Sequence, residues 1–296
     1  MLKTIGGKLV RLFAVAVSAA VLCGCAFMFT ACSTRRPEIS VRISFNGEEY
    51  TLNYTLYRDY YRQTVDHYMA LIEADFFDNT VIHDYQSDRM VGGAYTYESM
   101  DTSDEVEDLE ALDYDGTTLN EDGSVKVITA SVWEDADHTK PTNRLYGEVE
   151  AGGHIIEDGS GLTNKLGALG TYSYVKEESS NRLMYWNRTK SGAEGSNAYY
   201  YNSVTSMFYI YTSSSSKTDK NLCVFGELAN EASTTALNDL MTAISDYTEE
   251  LSDLETFTKE KDVILNDAYA TDGRCDVTYS VPVEKIIIEE ISVVKY

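Results

Sequence analysis

Ile39-Ser40-Val41-Arg42-Ile43-Ser44-Phe45-Asn46-Gly47, continued by Glu48-Glu49-Tyr50-Thr51-Leu52-Asn53-Tyr54, decides the fold class. Ile39, Val41, Ile43 and Phe45 stand at every second position, and Tyr50, Leu52 and Tyr54 resume the same period after Asn46-Gly47. A period of two places these side chains on one face of a strand, and Asn-Gly is a strong signal for a two-residue hairpin turn. The stretch predicts a β-hairpin with one buried face.

Working outward, the period changes between Arg62 and Ala74, where Val65, Met69 and Ile72 follow helical spacing with Tyr68 beside them. Val81 to Tyr85 and Met90 to Ala94 are compact apolar pieces separated by a polar turn, and Ser203 to Tyr211 and Leu222 to Leu228 read as further strands. Ser233 is a candidate N-cap for a second helix with Leu237, Leu240, Met241 and Ile244 on its apolar face. Lys285 to Val294 closes the chain as a strand rich in Ile and Val. Many strands with two short helices predict a mainly β protein built on a closed or strongly curved antiparallel sheet.

One region departs from this pattern. Glu98 to Asp122 is crowded with Asp and Glu and poor in apolar anchors, and it is read as the heart of a solvated insertion at about 97–143. Asp113-Tyr114-Asp115-Gly116 lacks the alternating ligands and terminal Glu of an EF-hand loop, so no metal is assigned to it. No cofactor is expected either: His67, His83, His138 and His154 are scattered, and His83 reads as a buried structural residue.

The N-terminus has the layout of an export signal, with Lys3, Lys8 and Arg11 ahead of an uncharged apolar run from Leu12 to Ala31. A transmembrane helix is the competing reading of such a run. Phe29-Thr30-Ala31-Cys32-Ser33 resembles the lipobox of bacterial lipoproteins, with Cys32 as the lipidated residue and Cys25 as an earlier candidate. Residues 1–31 are then a signal peptide, 32–37 a tether and 38–296 the domain. The expected location is the extracytoplasmic face of the cell membrane, held by lipid. Without the three basic residues of the signal, 21 basic face 48 acidic residues, a net charge of −27, which excludes nucleic acid as a natural partner. Cys223 and Cys275 are the domain's thiols, and spacing alone leaves open whether they pair.

Several blocks in order resemble the cyclophilin family. Thr64-Val65-Asp66-His67-Tyr68, Leu71 and Phe76-Phe77-Asp78-Asn79-Thr80-Val81-Ile82-His83 are similar to T-V-x-N-F, L and G-F-Y-D-x-T-x-F-H. Met90-Val91-Gly92-Gly93 looks like M-I-Q-G-G, Tyr146-Gly147-Glu148-Val149 like the G-E-F entry, and Leu166-Gly167-Ala168-Leu169 like R-G-x-L. Asn202 to Ile210 resembles N-S-x-x-S-Q-F-F-I, and Val224-Phe225-Gly226 the V-F-G before the second helix. The resemblance implies a closed eight-stranded antiparallel barrel capped by two helices, and the activity of a peptidyl-prolyl cis-trans isomerase. Leu254 to Ser280 matches no block and is expected to be an excursion before the last strand.

Prolyl isomerisation must weaken amide delocalisation, and in this family an arginine following the F-H pair is held to donate a hydrogen bond toward the prolyl nitrogen. Here that position is Asp84, a carboxylate that accepts hydrogen bonds only. Arg89 falls where the family has a pocket phenylalanine, and Met207 where it has a glutamine; Lys217, Thr218 and Leu222 replace its tryptophan, leucine and histidine. The substrate-binding positions carried over are Met90, Met207, Phe208 and Tyr209. Two readings of Asp84 and Arg89 follow: they pair across neighbouring strands and fill the pocket with charge, or Arg89 enters the space of the lost arginine and restores a donor.

The expected function is a lipid-anchored cyclophilin-family protein that acts on or binds proline-containing segments of extracytoplasmic proteins, with isomerase activity weak or lost. The alternative is a non-catalytic surface interaction module using the barrel, the acidic insertion and the 23 tyrosines, among them Tyr199-Tyr200-Tyr201.

Overall fold

The computed structural model describes residues 34–97, 109–111, 133–134, 141–142, 148–150, 153–172, 182–188, 194–200, 206–213, 223–251, 256–264 and 276–296. Cys25, Cys32, Asp113 to Gly116, His138, Lys217, Thr218, Leu222 and Cys275 lie outside them. Only the edges of the acidic insertion are described, as two short strand pairs, Tyr95–Tyr97 with Leu109–Ala111 and Trp133–Glu134 with Pro141–Thr142.

Nine strands form the main sheet: β1 (Glu38–Phe45), β2 (Glu48–Leu56), β3 (Thr80–Val81), β4 (Asp84–Tyr85), β5 (Arg89–Gly92), β6 (Leu169–Thr171), β7 (Phe208–Tyr211), β8 (Val224–Leu228) and β9 (Ile286–Lys295). Their order is β3-β9-β1-β2-β8-β6-β7-β5-β4. The β1–β2 hairpin forms as expected, in unbroken register from Glu38↔Thr55 to Phe45↔Glu48. Asn46 and Gly47 both have positive φ, 49° and 82°, as a type I′ turn requires. Ile39, Val41, Ile43 and Phe45 are buried and alternate with half-buried polar residues.

A closed barrel of eight strands was the expectation; the ladder order is open, with nine strands and no pairing between β3 and β4. The reason lies in one short segment. Ile287 and Ile288 of β9 pair with Val81 and Thr80, whereas Asp84 and Tyr85 pair with Val91 and Met90 of β5. Between them the Ile82 N–H donates to the Ile286 carbonyl at 2.9 Å and the His83 N–H to the Val91 carbonyl at 3.0 Å. The stretch predicted as one strand therefore changes partner after Ile82 and supplies both ends of the sheet. Register shifts in the β1–β9 ladder, at Glu38/Ile39 and Arg42/Ile43, add the local twist that bends the sheet toward this meeting point.

Helix α1 (Arg62–Glu73) buries Val65, Tyr68, Met69, Leu71 and Ile72, the face its spacing predicts. Tyr61 caps it without a side-chain bond; instead Glu148, far off in sequence, accepts the Thr64 N–H at 2.9 Å. Helix α2 (Glu231–Glu250) begins one turn earlier than expected. Asn230 is the N-cap, its Oδ1 accepting the Ser233 N–H at 2.9 Å, so Ser233 sits inside the first turn. The Ser233 hydroxyl is used elsewhere, accepting the Asn53 N–H of β2 at 2.9 Å and so tying helix to sheet. Both helices and the inward face of the sheet share one apolar core. None of the helices among the described residues is long and apolar enough to cross a membrane.

Cys223 is a buried free thiol, packed in the core and 3.9 Å from the Thr64 hydroxyl, and not half of a disulfide. At the start of the described residues, the Thr34 N–H donates to the Tyr296 carbonyl and the Arg58 guanidinium to the Thr34 carbonyl.

Candidate functional site

Strand pairing sorts the expected site residues between two faces. Asp84 stands opposite Val91, and Val91 opposite Tyr209; Tyr85 stands opposite Met90, and Met90 opposite Ile210. Directly opposed residues share a face and successive residues alternate. Met90, Phe208 and Ile210 accordingly enter the main core, with Tyr85 packed against it. Val91, Tyr209 and Tyr211 form a separate buried cluster on the other face with Ala168 and Val224. Of the four substrate-binding positions expected, Tyr209 alone belongs to that cluster; Met90 and Phe208 are core residues. Met207 is fully buried, with its carbonyl accepting from the Tyr68 hydroxyl. The residues that flank Tyr209 on its own face are Arg89, Val91 and Asp84, a one-place shift that period two turns into a change of face.

The Tyr209 ring lies against Gly170, where a Cβ would come within 2.2 Å of the ring carbon bearing the hydroxyl. Its hydroxyl donates to Asn164 Oδ1 at 2.8 Å in a buried bond. Above the ring sits Arg89, its guanidinium carbon 5.3 Å from the centroid, within cation–π range. Asp88, the preceding residue, accepts from Arg89 Nε at 2.8 Å.

The cross-strand pair between Asp84 and Arg89 is not formed, because each is otherwise engaged. Asp84 is 2% exposed, and its carboxylate accepts the Ser280 N–H at 3.0 Å and the Gln86 side-chain amide at 2.6 Å. Burial raises its pKa above the ordinary carboxylate range, against the opposing pull of Ser280, Gln86 and, last, Arg89. Ser280 belongs to a hairpin, Thr258–Ile264 with Asp276–Pro282, that packs its second strand against β4. This is the excursion that matched no block, and it covers the edge of the face on which Asp84 stands. Its signal was legible as the alternation Val277, Tyr279, Val281; what it would pack against was not. Asn164 had no sequence signal.

His83 is fully buried, as expected of a structural residue, with the Tyr95 and Tyr279 rings edge-on at 4.7 and 4.8 Å. Burial lowers its pKa to about 3, opposed by a backbone hydrogen bond to Val81. It is a neutral packing element at physiological pH. Among the described residues no group of three or more His, Cys, Asp or Glu side chains is placed to hold a metal ion.

Asp84→Asn tests the electrostatic account. The folded state binds this proton more tightly than the unfolded chain, so the group's contribution to stability falls as pH rises from the ordinary carboxylate range through the raised folded pKa. Asn keeps an acceptor for the Ser280 N–H and carries no charge. The variant is expected to be at least as stable as the parent at pH 7, with a flatter stability profile between about pH 4 and pH 7 in urea unfolding. A variant markedly less stable at pH 7 than at pH 4 would refute it.

The site and fold together define a mainly β protein: a strongly curled sheet with two helices, and a buried aromatic and carboxylate cluster on its outer face. No protein-family model matches the chain, and no curated protein matches it. Among solved structures it is similar to a cyclophilin-type peptidyl-prolyl cis-trans isomerase of Cryptosporidium parvum, at 15% identity and a TM-score of 0.43, covering 88% of this chain and 99% of that one. The same enzyme in the presence of the dipeptide Ala-Pro gives 17% identity and a TM-score of 0.41, covering 87% and 99%. The Mimivirus cyclophilin gives 13% and 0.40, covering 90% and 92%.

Proposed function

We propose that the chain is a cyclophilin-type protein in which isomerase activity is weak or lost, and that it binds proline-containing protein segments outside the cytoplasm. The observation that carries this reading is the Asp84 carboxylate, buried and tied to the Ser280 N–H where the family has its arginine. A carboxylate so placed offers no donor to a twisting prolyl nitrogen. Arg89 does not replace that donor on this reading: it is held by Asp88 and rests on the Tyr209 ring, the aromatic surface on which a proline would pack. Counting β3 and β4 as one bent strand reduces nine to eight, the number in the family's barrel. The order of sequence blocks from Thr64 to Gly226 supports the same family.

Purified protein is expected to leave cis/trans exchange of an Ala-Pro peptide at its uncatalysed rate of tens to hundreds of seconds. Acceleration that Arg89→Ala abolishes would overturn the reading. Binding of proline-containing segments separates it from the alternative of a module indifferent to proline: matched Ala-Pro and Ala-Ala peptides should bind unequally here and equally there.

The N-terminal layout supports anchoring at Cys32 on the outer face of the membrane. Cys32→Ser should abolish incorporation of labelled fatty acid in a bacterial host. Loss with Cys25→Ser alone would move the site to Cys25.

A further inference from the structure

Thr34 to Pro37, the described residues nearest Cys32, are each bonded to the domain. The Thr34 N–H donates to the Tyr296 carbonyl at 3.0 Å, and the Thr34 carbonyl accepts from the Arg58 guanidinium at 2.9 Å. The Arg35 carbonyl accepts the Asp59 N–H at 3.2 Å, and the Pro37 carbonyl the Leu56 N–H at 2.8 Å. Between them Arg36 pairs with Asp59 at 3.2 Å and lies over the Tyr57 ring at 4.7 Å. Ser33 alone stands between Cys32 and this bonded segment. Covalent geometry then sets a distance: two peptide units span at most about 7 Å, so Thr34 lies no farther than that from the backbone of Cys32.

This end of the domain also carries exposed apolar side chains. Val294 is 60% and Tyr296 54% exposed, two positions apart at the end of β9, the spacing that puts side chains on one face. Among the described residues the other large apolar side chain so exposed is Ile155. Arg35 and Arg36, which follow Thr34, are exposed as well. The opposite end of β9 lies by the Asp84 site: the Ile286 carbonyl takes the Ile82 N–H, two residues before Asp84. From Ile286 to Lys295 the strand extends about 30 Å at its ordinary rise per residue.

We propose that this end of the domain rests on the lipid surface, with Val294 and Tyr296 in the interfacial layer, and that β9 carries the Asp84 face away from the bilayer. The inference rests on the reading of Cys32 as the anchor and adds an orientation to it. A lipid on Cys32 brings Thr34, and the Tyr296 backbone bonded to it, to the depth of the headgroups. Tyrosine suits that layer because its ring is apolar and its tip polar. Arginines there meet headgroup phosphates, while the acidic surplus of the rest of the domain is repelled by anionic lipid and turns outward.

The lipidated protein, purified from a bacterial host and placed in vesicles of phosphatidylcholine and phosphatidylglycerol, tests this with a nitroxide at Val294→Cys or at Ser87→Cys. Ser87 is exposed in the turn after β4, and both samples carry Cys275→Ser, Cys223 being buried. Accessibility to oxygen relative to a water-soluble nickel reagent should be several-fold higher at position 294 than at position 87, and Tyr296→Asp should lower that ratio. Equal accessibility at the two positions, or no change with Tyr296→Asp, would overturn the inference. Fatty-acid incorporation at Cys32, measured on the same preparation, separates the two readings. Fatty acid present with equal accessibilities refutes the orientation alone; its absence refutes the anchor and the orientation with it.

Discussion

Tyr68→Ala is expected to cost about 4 kcal/mol of folding stability, within the range for truncating a buried aromatic. Tyr68 stacks on Phe225 with centroids 4.6 Å apart and planes 8° from parallel, and lies near Phe77 and Phe208 at 6.3 and 6.5 Å. It joins α1 to β7 and β8 within the buried core. Its hydroxyl also donates to the Met207 carbonyl, just before β7. Tyr68→Phe removes that bond and should cost only about 1 kcal/mol, because the Met207 carbonyl keeps the Tyr172 N–H as a donor at 3.2 Å. Urea unfolding of both variants checks the ordering. An alanine variant within 1 kcal/mol of the parent would mean the stack is not part of the cooperative core.

Gly93→Ala is expected to destabilise by about 3 kcal/mol, from two sources that a control separates. Gly93 has φ of +90°, and a Cβ would stand 2.5 Å from the Ser206 carbonyl oxygen and 3.0 and 3.1 Å from the Phe208 and Phe77 rings. Backbone cannot yield as a flexible side-chain end can, so β5 and the start of β7 must move apart. Gly47 has a similar φ of +82° with nothing within 4 Å of its Cβ position. Gly47→Ala should therefore cost only the conformational part, about 1 kcal/mol. Equal losses from the two substitutions would show that the close approach to Ser206 is not what matters at Gly93.

The contrast between those glycines marks where sequence reasoning stopped. Asn46-Gly47 announced its turn because local backbone preference fixes a two-residue loop. Gly93 also belonged to a quoted motif, but its need for a small residue comes from Ser206, more than a hundred positions away. The same division runs through the site. Tyr209, Asp84 and Arg89 were legible as positions to watch, whereas Val91, which shares their face, was not singled out, and Met90 and Phe208 pack in the core on the opposite face. An expected match to a motif carries no information about faces, and a shift of one residue exchanges core for surface.

Local order along the chain determined the hairpin at 38–56, the buried faces of both helices, and the carboxylate at Asp84, since periodicity and residue chemistry need no knowledge of distant partners. Tertiary structure alone decided that Asp84 answers to Ser280 and Gln86, that Arg89 turns to Asp88 and the Tyr209 ring, and that the segment 80–85 serves both ends of the sheet. The physical reason is that a charged side chain in a folded interior goes to whichever partners the packing brings within hydrogen-bond reach, and those partners lie up to 196 positions away in the sequence.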